Sequence, residues 1–205
     1  MLGASGHGGV VADAALAAGW DEVEFFDDRW PGIAGVGPWN IVGDTVALLG
    51  DHARYAGVIV AIGANRARLA RHRALAAAGA AMTTVVHPSA VVSPFATLGD
   101  GSVLCALAVI NPFARTGAAV ILNTGATVDH DCVLGDGVHV SPGAHIGGAV
   151  SIGEASWIGI GAAVRQGILI GAGVIVGAGA AVVTDIADGI TVVGVPARKL
   201  NNEST

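Results

Sequence analysis

The stretch TVDHDCVLGDGVHVSPGAHIGG, from Thr127 to Gly148, carries an apolar residue at every sixth position. The same spacing continues in both directions along the chain. Of the seventeen positions from 86 to 182 that follow it, sixteen are Val, Leu or Ile. We call these seventeen residues the anchors: Val86, Val92, Leu98, Leu104, Ile110, Thr116, Leu122, Val128, Leu134, Val140, Ile146, Ile152, Ile158, Val164, Ile170, Val176 and Val182.

A period of six fits neither an α-helix, whose apolar face recurs about every 3.6 residues, nor a meander of hairpins with a turn after each strand. A second, mostly small residue follows each anchor by four positions. This pattern predicts a parallel β-helix of hexapeptide repeats, in which short strands alternate with sharp corners. Three hexapeptides make one triangular coil, so residues 18 apart should stack. One such column should contain Leu104, Leu122, Val140, Ile158 and Val176.

The composition limits the classes of partner. With a net charge of −6 and only ten Lys and Arg, the chain is poorly suited to neutralising a phosphate backbone, so we expect no nucleic-acid partner. No apolar run reaches the ~18 residues of a membrane span. The cysteines Cys105 and Cys132 lack metal-ligand spacing, and no signal peptide is visible, so we expect a reduced, cytoplasmic protein.

The first 85 residues lack the six-residue repeat and show the patterns of alternating strands and helices instead. A glycine-rich turn (Gly3–Val11) leads into an apolar helix, VEFFDD and AGVIVAIG are typical of strands, and a second helix is expected from Asn65 to Gly79. We therefore predict a small parallel α/β domain over 1–85, followed by the β-helix domain over 86–205. Only two residues precede the glycine-rich turn, too few for a normal first strand, which suggests a trimmed or misassigned start.

The glycine-rich turn suits an anion such as a diphosphate, because it opens onto the N-terminus of a helix. Its glycines do not form a clean dinucleotide fingerprint, and a single such loop is a weak signal. Asp27 and Asp28 follow the next strand about 20 residues on, where an acid can contact a ribose.

The repeat gives each histidine of the opening stretch a position. His130 and Asp131 fall on a corner that projects both side chains outward, whereas His139 and His145 each precede an anchor on a flat wall. Asp129 and Asp131 flank His130, and carboxylates raise the basicity of an imidazole, so His130 is a candidate general base. We expect His139 on the adjoining wall as its companion. A metal site of His130, His139 and a carboxylate is the alternative, and His145 is consistent with a surface residue.

The whole chain resembles the sugar acyltransferases of the sialic acid O-acetyltransferase type. Within them it is most similar to the N-acetyltransferases of nucleotide-linked 4-amino-4,6-dideoxy sugars, the group of the bacillosamine-pathway and GDP-perosamine enzymes. The motifs that carry this resemblance cover residues 1–200. They are GASGHGGVVAD, FFDD, AIGANRAR, ILNTGATVDHDCVLGDGVHVSPGA and VVGVPARK.

The resemblance implies a left-handed β-helix, a homotrimer with sites between neighbouring prisms, and direct acetyl transfer from acetyl-CoA to an amino sugar without a metal. It further implies that His130 is the base and Asp131 its orienting acid. The remaining implied roles concern binding. For the nucleotide-sugar they fall on Ser5, Gly6, His7, Asp27, Asp28, Asn123 and His139, and for acetyl-CoA on Gly148, Ile160 and Ala178.

Three alternatives stay open at this point. O-acetylation of a sugar would use the same site, an NAD-dependent oxidoreductase would use the glycine-rich turn, and a non-catalytic scaffold would use only the β-helix. The oxidoreductase does not explain the repeat, and the scaffold does not explain the Asp-His-Asp corner. The nucleotide base and the sugar cannot be read from the sequence.

Overall fold

The computed structural model describes residues 1–200, and its chain begins with an α/β unit. This unit contains α1 (Gly6–Ala17), β1 (Phe25–Phe26), β2 (Gly35–Val36), β3 (Trp39–Gly43), α2 (Thr45–Asp51), a 3₁₀-helix (His52–Arg54) and α3 (Asn65–Ala77). The predicted helices are present. Gly79, at a φ of 87°, follows α3 in the left-handed region that favours glycine.

The sheet of the α/β unit is parallel at its centre. β1 pairs with β3, and Leu2 forms parallel bridges with both Phe26 and Val60. The predicted strands are shorter than expected, because VEFFDD contributes only β1 and AGVIVAIG contributes only single-residue bridges. The antiparallel hairpin of β2 and β3 and the helix α2 carry no periodic signal in the sequence and are absent from the sequence-based prediction.

Residues 85–199 form a left-handed parallel β-helix with three walls. The first wall contains β5 (Val91–Val92), β7 (Val109–Ile110), β10 (Thr127–Val128), β13 (His145–Ile146), β16 (Ala163–Val164) and β19 (Ala181–Val182). The second contains β8 (Arg115–Thr116), β11 (Val133–Leu134), β14 (Ser151–Ile152) and β17 (Leu169–Ile170). The third contains β4 (Val85–Val86), β6 (Val103–Leu104), β9 (Ile121–Leu122), β12 (His139–Val140), β15 (Trp157–Ile158), β18 (Ile175–Val176), β20 (Thr191–Val193) and β21 (Arg198–Lys199).

The predicted stacking is confirmed. Leu104, Leu122, Val140, Ile158 and Val176 are direct register partners along the third wall, and no insertion interrupts the six-residue spacing. Their side chains are almost fully buried, because the anchors fill the interior of the prism. β20 and the antiparallel β21 close the third wall, and they belong to the VVGVPARK segment.

The corners are built alike. From 101 to 179, the third residue after every anchor has a positive φ, between 54° and 71°, whether or not it is glycine. An L-residue pays roughly 1–2 kcal/mol for this conformation, and Asp is among those that tolerate it best. Asp131 occupies one such position, at a φ of 59°. Its side-chain direction is therefore fixed by the corner.

We call the corner between the first and second walls the first corner, that between the second and third walls the second corner, and that between the third and first walls the third corner. The α/β unit covers the third wall, where Val103 and Cys105 join its hydrophobic core, and α3 lies along the second corner. The domain division at 85/86 stays a prediction, and residues 201–205 of the predicted second domain lie outside the described residues. Among residues 1–200, no helix has the length and apolarity to cross a membrane.

Candidate active site

His130 and Asp131 form a hydrogen-bonded pair on the first corner. His130 Nδ1 lies 2.8 Å from Asp131 Oδ2, and more than half of each side chain is exposed. A carboxylate only accepts, so Nδ1 carries the proton and Nε2 of the neutral ring presents its lone pair to solvent. This is the tautomer that a general base needs.

Two further contacts fix the His130 corner. Asp129 Oδ1 accepts hydrogen bonds from the backbone N–H of His130, at 2.8 Å, and from Asn111 Nδ2, at 2.9 Å. Beneath the ring lies Gly148, where a Cβ atom would stand only 2.7 Å from both Cε1 and Nε2 of His130. The hydrogen bond that His130 donates to Asp131 and the negative charge of Asp129 raise the pKa of His130, because both stabilise the imidazolium.

His139, on the third wall, has a different environment. Only 6% of the residue is exposed, because the α/β unit covers it. Asn123 Oδ1 accepts from the N–H of Thr124, which turns the Asn123 amide nitrogen toward His139 Nε2 at 3.1 Å. Nε2 therefore accepts, the ring is neutral, and the proton resides on Nδ1.

His7 and Trp157 flank the His139 ring. The centroid of Trp157 lies 5.0 Å away in a stacked arrangement, and that of His7 lies 6.2 Å away. His7 Nε2 and His139 Nδ1 are buried without a hydrogen-bond partner, although the backbone of Gly63 approaches the His139 ring. Buried polar atoms without a partner, on two neighbouring rings, are typical of a site that receives a ligand group.

Burial first, and then the positive charge of Arg68, lowers the pKa of His139 to about 3 and that of His7 to about 4. For His139 the nearby His7 ring adds to the effect. Both rings are therefore neutral at physiological pH, whereas His130 is shifted in the opposite direction.

The glycine-rich turn is held by an ion pair. Asp27 Oδ2 accepts from the N–H of Ala4 at 2.8 Å, while Arg29 donates to Asp27 Oδ1 at 2.8 Å and to the carbonyl of Ala4 at 2.7 Å. These contacts, led by the hydrogen bond from Arg29, lower the pKa of Asp27 to about 2. Ser5 and Gly6 are exposed at the start of α1, and the Ser5 side chain caps no N–H of that helix.

Asp28 is also engaged within the chain. Its Oδ1 accepts from the N–H of Thr45 and its Oδ2 from Arg71, both at 2.9 Å. Asp27 and Asp28 thus orient the turn and the start of α2, and a contact of either carboxylate with ribose stays a prediction.

The structure corrects one expectation about the histidines. His139 does not lie on a wall that adjoins the first corner: it belongs to the third wall, which faces away from that corner across the prism. The difference arises because the chain runs along the whole second wall between His130 and β12. Within one protomer, His7, Asn123 and His139 come together, and His130 and Asp131 stand apart from them.

The predicted cofactor residues fall into two groups. Ile160 and Ala178 are exposed neighbours in successive coils of the third corner, where the Ile160 carbonyl accepts from the N–H of Gly179. Gly148 lies on the first corner against His130. The two groups flank the first wall at its opposite edges.

The other candidate residues lie on the surface or in the core of the prism. His145 is exposed and lies 2.9 Å from the Thr127 hydroxyl. Cys132 is buried in the prism, and burial raises the pKa of its thiol, so a thiolate nucleophile is disfavoured there. Within residues 1–200, no group of three His, Cys, Asp or Glu side chains has the geometry to bind a metal ion, and His130 and His139 are too far apart to share one.

Three residues of the site escaped the sequence analysis. Trp157 precedes an anchor, directly below His139 in the stack 18 residues apart, so the repeat could have placed it beside that histidine. Arg29 directly follows the Asp27–Asp28 pair. Arg68 lies within a helix whose sequence does not distinguish it from Arg66, Arg71 or Arg73.

A hexapeptide β-helix with an exposed His–Asp pair at a corner, preceded by an α/β unit, defines the class of hexapeptide-repeat acyltransferases. The comparisons with known proteins agree with this class. The family model described as the PglD N-terminal domain matches residues 1–75. No curated protein sequence matches the chain.

Several solved structures match nearly the whole chain, and three of them illustrate the range. The acetyltransferase domain of PglB from Neisseria gonorrhoeae, in complex with acetyl coenzyme A, is 46% identical, with a TM-score of 0.93 and 97% of each chain covered. A histidine-to-alanine variant of GDP-perosamine N-acetyltransferase from Caulobacter crescentus, in complex with CoA and GDP-perosamine, is 39% identical, with a TM-score of 0.94 and coverage of 98% of this chain and 95% of that chain. WeeI from Acinetobacter baumannii is 30% identical, with a TM-score of 0.86 and 97% of each chain covered.

At this identity and coverage, the chain belongs to the family of hexapeptide-repeat sugar acetyltransferases that contains the PglB acetyltransferase domain and GDP-perosamine N-acetyltransferase.

Proposed function

We propose that this protein transfers the acetyl group of acetyl-CoA to the 4-amino group of a nucleotide-linked 4-amino-4,6-dideoxy sugar. The observation that carries the proposal is the His130–Asp131 pair, whose 2.8 Å hydrogen bond leaves Nε2 free as a base. Two relatives support the substrates: the PglB acetyltransferase domain is known in complex with acetyl-CoA, and GDP-perosamine N-acetyltransferase in complex with CoA and GDP-perosamine.

The chemistry follows from the tautomer of His130. A sugar amine at neutral pH is mostly an ammonium ion, which cannot attack. His130 Nε2 accepts a proton from this nitrogen and releases it to solvent, and the free amine then attacks the thioester carbonyl. Nε2 next takes the second proton from the nitrogen of the tetrahedral intermediate, the intermediate expels the CoA thiolate, and the imidazolium donates that proton to the thiolate. The products are an amide, CoA and one proton released to solvent. A positioned base of this kind commonly contributes ~10²–10⁴ in rate.

We further propose that the complete site lies between two copies of the chain. His130 and Asp131 of one copy would face the pocket of His7, Asn123 and His139 of its neighbour, because these groups lie on opposite sides of one prism. The turn at Ser5 and Gly6, with Asp27 and Asp28 behind it, would hold the nucleotide-sugar. Acetyl-CoA would lie along the first wall, between a first corner with Gly148 and a third corner with Ile160 and Ala178.

Exposed apolar side chains support a homotrimer of this kind. The ring centroids of Phe95 and Phe113 lie 5.9 Å apart on the first corner, in the same column as Asp131, and the two residues are 66% and 58% exposed. Val133 and Leu169, on the second wall, are also about half exposed. Apolar side chains grouped in this way are typical of an interface. We propose that the trimer acts in the cytoplasm, where acetyl-CoA and nucleotide-sugars are available.

An acceptor screen tests the proposed activity. UDP-, GDP- and dTDP-linked 4-amino-4,6-dideoxy sugars are incubated with acetyl-CoA, and CoA release is followed with a thiol reagent. Each 4-amino acceptor is paired with its 4-hydroxy counterpart. We expect thiol release with at least one 4-amino sugar and none above background with its 4-hydroxy counterpart. Equal release with both members of a pair would favour O-acetylation, and no release with any acceptor would contradict the proposal.

Subunit complementation tests the shared site. His130→Ala and His139→Ala should each be nearly inactive alone. In an equal, random mixture of the two variants, about three quarters of the trimers would contain both kinds of subunit. Each of these trimers would have one of its three sites with both histidines intact, so the mixture should show about a quarter of the wild-type activity. A site within one protomer would remain inactive in every mixture.

A further inference from the structure

Helix α3 and the second corner are matched in spacing. The helix rises about 5.4 Å per turn and the coils of the β-helix stack about 4.8 Å apart. Successive turns of α3 therefore meet successive coils: His72 packs on Gly101, Arg68 reaches Ala119 and Gly137, and Asn65 reaches the carbonyls of Ala155 and Ser156. This contact fixes how the α/β unit sits on the prism.

Arg68, at the centre of this contact, is fully buried and has no carboxylate partner among residues 1–200. All five N–H groups of its guanidinium donate to neutral oxygens. Nε donates to the carbonyl of Ala119, Nη1 to those of Ile62 and Gly63, and Nη2 to that of Gly137 and to Asn65 Oδ1, at distances of 2.7–3.0 Å. A buried guanidinium is rarely left without an anion, because the removal of a charge from water is costly. Stability alone does not explain its presence.

The guanidinium lies close enough to the His7 and His139 rings for its positive charge to act on both. Gly63, whose carbonyl Arg68 holds, is also the backbone residue that approaches the His139 ring. The charged and titratable groups that act on His139 are Arg68 from α3 and His7 from α1, while its other neighbours, Asn123 and Trp157, carry no charge. In the described part of the chain, no negative charge beside these rings offsets the guanidinium, so a proton added to either ring would meet a buried cation.

We propose that Arg68 is a positioning residue: its buried cationic side chain, bound only to neutral oxygens, joins the α/β unit to the second corner and opposes protonation of the His7–His139 pair. The two actions have one origin, because Gly63, whose carbonyl binds the guanidinium, belongs to the backbone that approaches the His139 ring. A neutral His139 keeps Nε2 as the acceptor of the Asn123 amide, whereas a protonated ring would turn an N–H toward the amide hydrogens and disturb the pocket.

The test compares three variants. Arg68→Gln removes the charge, and Arg68→Lys retains a charge but cannot reproduce the five hydrogen bonds. Arg73→Gln is the matched control, because Arg73 is a cation of the same helix that also reaches the prism, through Asp136 and Glu154, but lies more than one turn beyond Arg68. The titration of His139 is followed by NMR on protein labelled at the histidine Cε1 atoms, with a His139→Asn variant for assignment.

We expect the midpoint of the His139 titration to rise by about one pH unit or more in Arg68→Gln, as removal of a nearby like charge predicts. The midpoint should remain low in Arg68→Lys and in Arg73→Gln. An unchanged midpoint in folded Arg68→Gln would overturn the proposal. It would mean that Arg68 only holds the α/β unit on the prism and has no effect on the proton affinity of the ring. If Arg68→Gln does not fold, Arg68→Met, which also removes the charge, takes its place: a midpoint that rises supports the proposal, and an unchanged midpoint overturns it.

Kinetics add a second readout, which rests on the proposed function. In Arg68→Gln, kcat/KM for the amino-sugar acceptor should be lost at a higher pH than in the wild type, through a rise in KM rather than a fall in kcat. The same acid loss in Arg73→Gln would contradict the assignment to Arg68. The NMR titration needs no substrate, so it tests Arg68 even if the acceptor is of another class.

Discussion

Replacement of Gly148 by alanine tests how the ring of His130 is held. The added Cβ atom would stand 2.7 Å from Cε1 and Nε2 of His130, whereas carbon atoms in contact are about 3.5–4.0 Å apart. The ring must therefore move by about 1 Å or rotate away, which weakens its hydrogen bond to Asp131. A misplacement of about 1 Å costs roughly 10²-fold in rate, or about 2.7 kcal/mol of barrier.

The same substitution should leave stability almost unchanged. Gly148 does not have the positive φ that would strain an alanine, and the atoms it would contact belong to an exposed side chain that can swing into solvent. We expect a change in unfolding free energy within about 0.5 kcal/mol. The measurement pairs thiol-release kinetics with urea unfolding.

Gly50→Ala is the matched control, because nothing lies within 4 Å of a Cβ atom at that helical position. It should keep wild-type turnover. Turnover of Gly148→Ala equal to that of the control would refute the reasoning, because the ring of His130 would then need no fixed position. An increase only in KM for acetyl-CoA would instead indicate that Gly148 acts through the cofactor.

Three other changes have defined outcomes. Asp131→Asn keeps a residue that tolerates the positive φ but removes the charge that raises the pKa of His130. The acid limb of the profile of kcat/KM against pH should therefore move to lower pH, and the maximal rate should fall. An acid limb that does not move would show that Asp131 does not act on the pKa of the base. The pKa values of His7 and His139 in the folded chain are about 4 and about 3, so on acidification the unfolded chain is protonated at these residues first. The neutral rings therefore contribute their full stability above about pH 6.5. This contribution is lost as the pH falls toward 4, by up to about 1.4 kcal/mol per pH unit for each ring. Urea midpoints measured between pH 7.5 and 5 should show this loss, and a His7→Asn, His139→Asn double variant should not. Phe113→Asp places at a corner the residue type that Asp131 shows to be tolerated at positive φ. If the proposed trimer uses this surface, the variant should sediment as a monomer without unfolding; a variant that sediments as a trimer would place the interface elsewhere.

Much of the β-helix could be predicted from the sequence because each hexapeptide repeats one local rule. The anchor side chain must point inward, and no insertion shifts the register, so position in the sequence gives position in space. This is why Leu104 and Leu122 were correctly placed in one column, and why His130 and Asp131 were correctly placed on an outward corner.

The environment of His139 could not be predicted in the same way. Its outward direction follows from the repeat, but its burial depends on the docking of α1 and α3 against the third wall, which is a contact between residues far apart in sequence. The prediction for the wall is wrong because β11 and the second corner separate His130 from His139, which puts His139 on the wall opposite the first corner. Arg68 was missed because a buried arginine bound only by carbonyls leaves no pattern in the sequence.

The most direct test of the account is the turnover of His130→Ala with the best acceptor from the screen. Because His130 is exposed on a corner and outside the core, its removal should leave the fold and CoA binding intact. We predict normal binding of CoA by calorimetry, together with a loss of roughly 10²–10⁴-fold in the rate of amide formation. Near-normal turnover in a folded His130→Ala protein would contradict the account, since no other described base stands at the first corner with a free ring nitrogen.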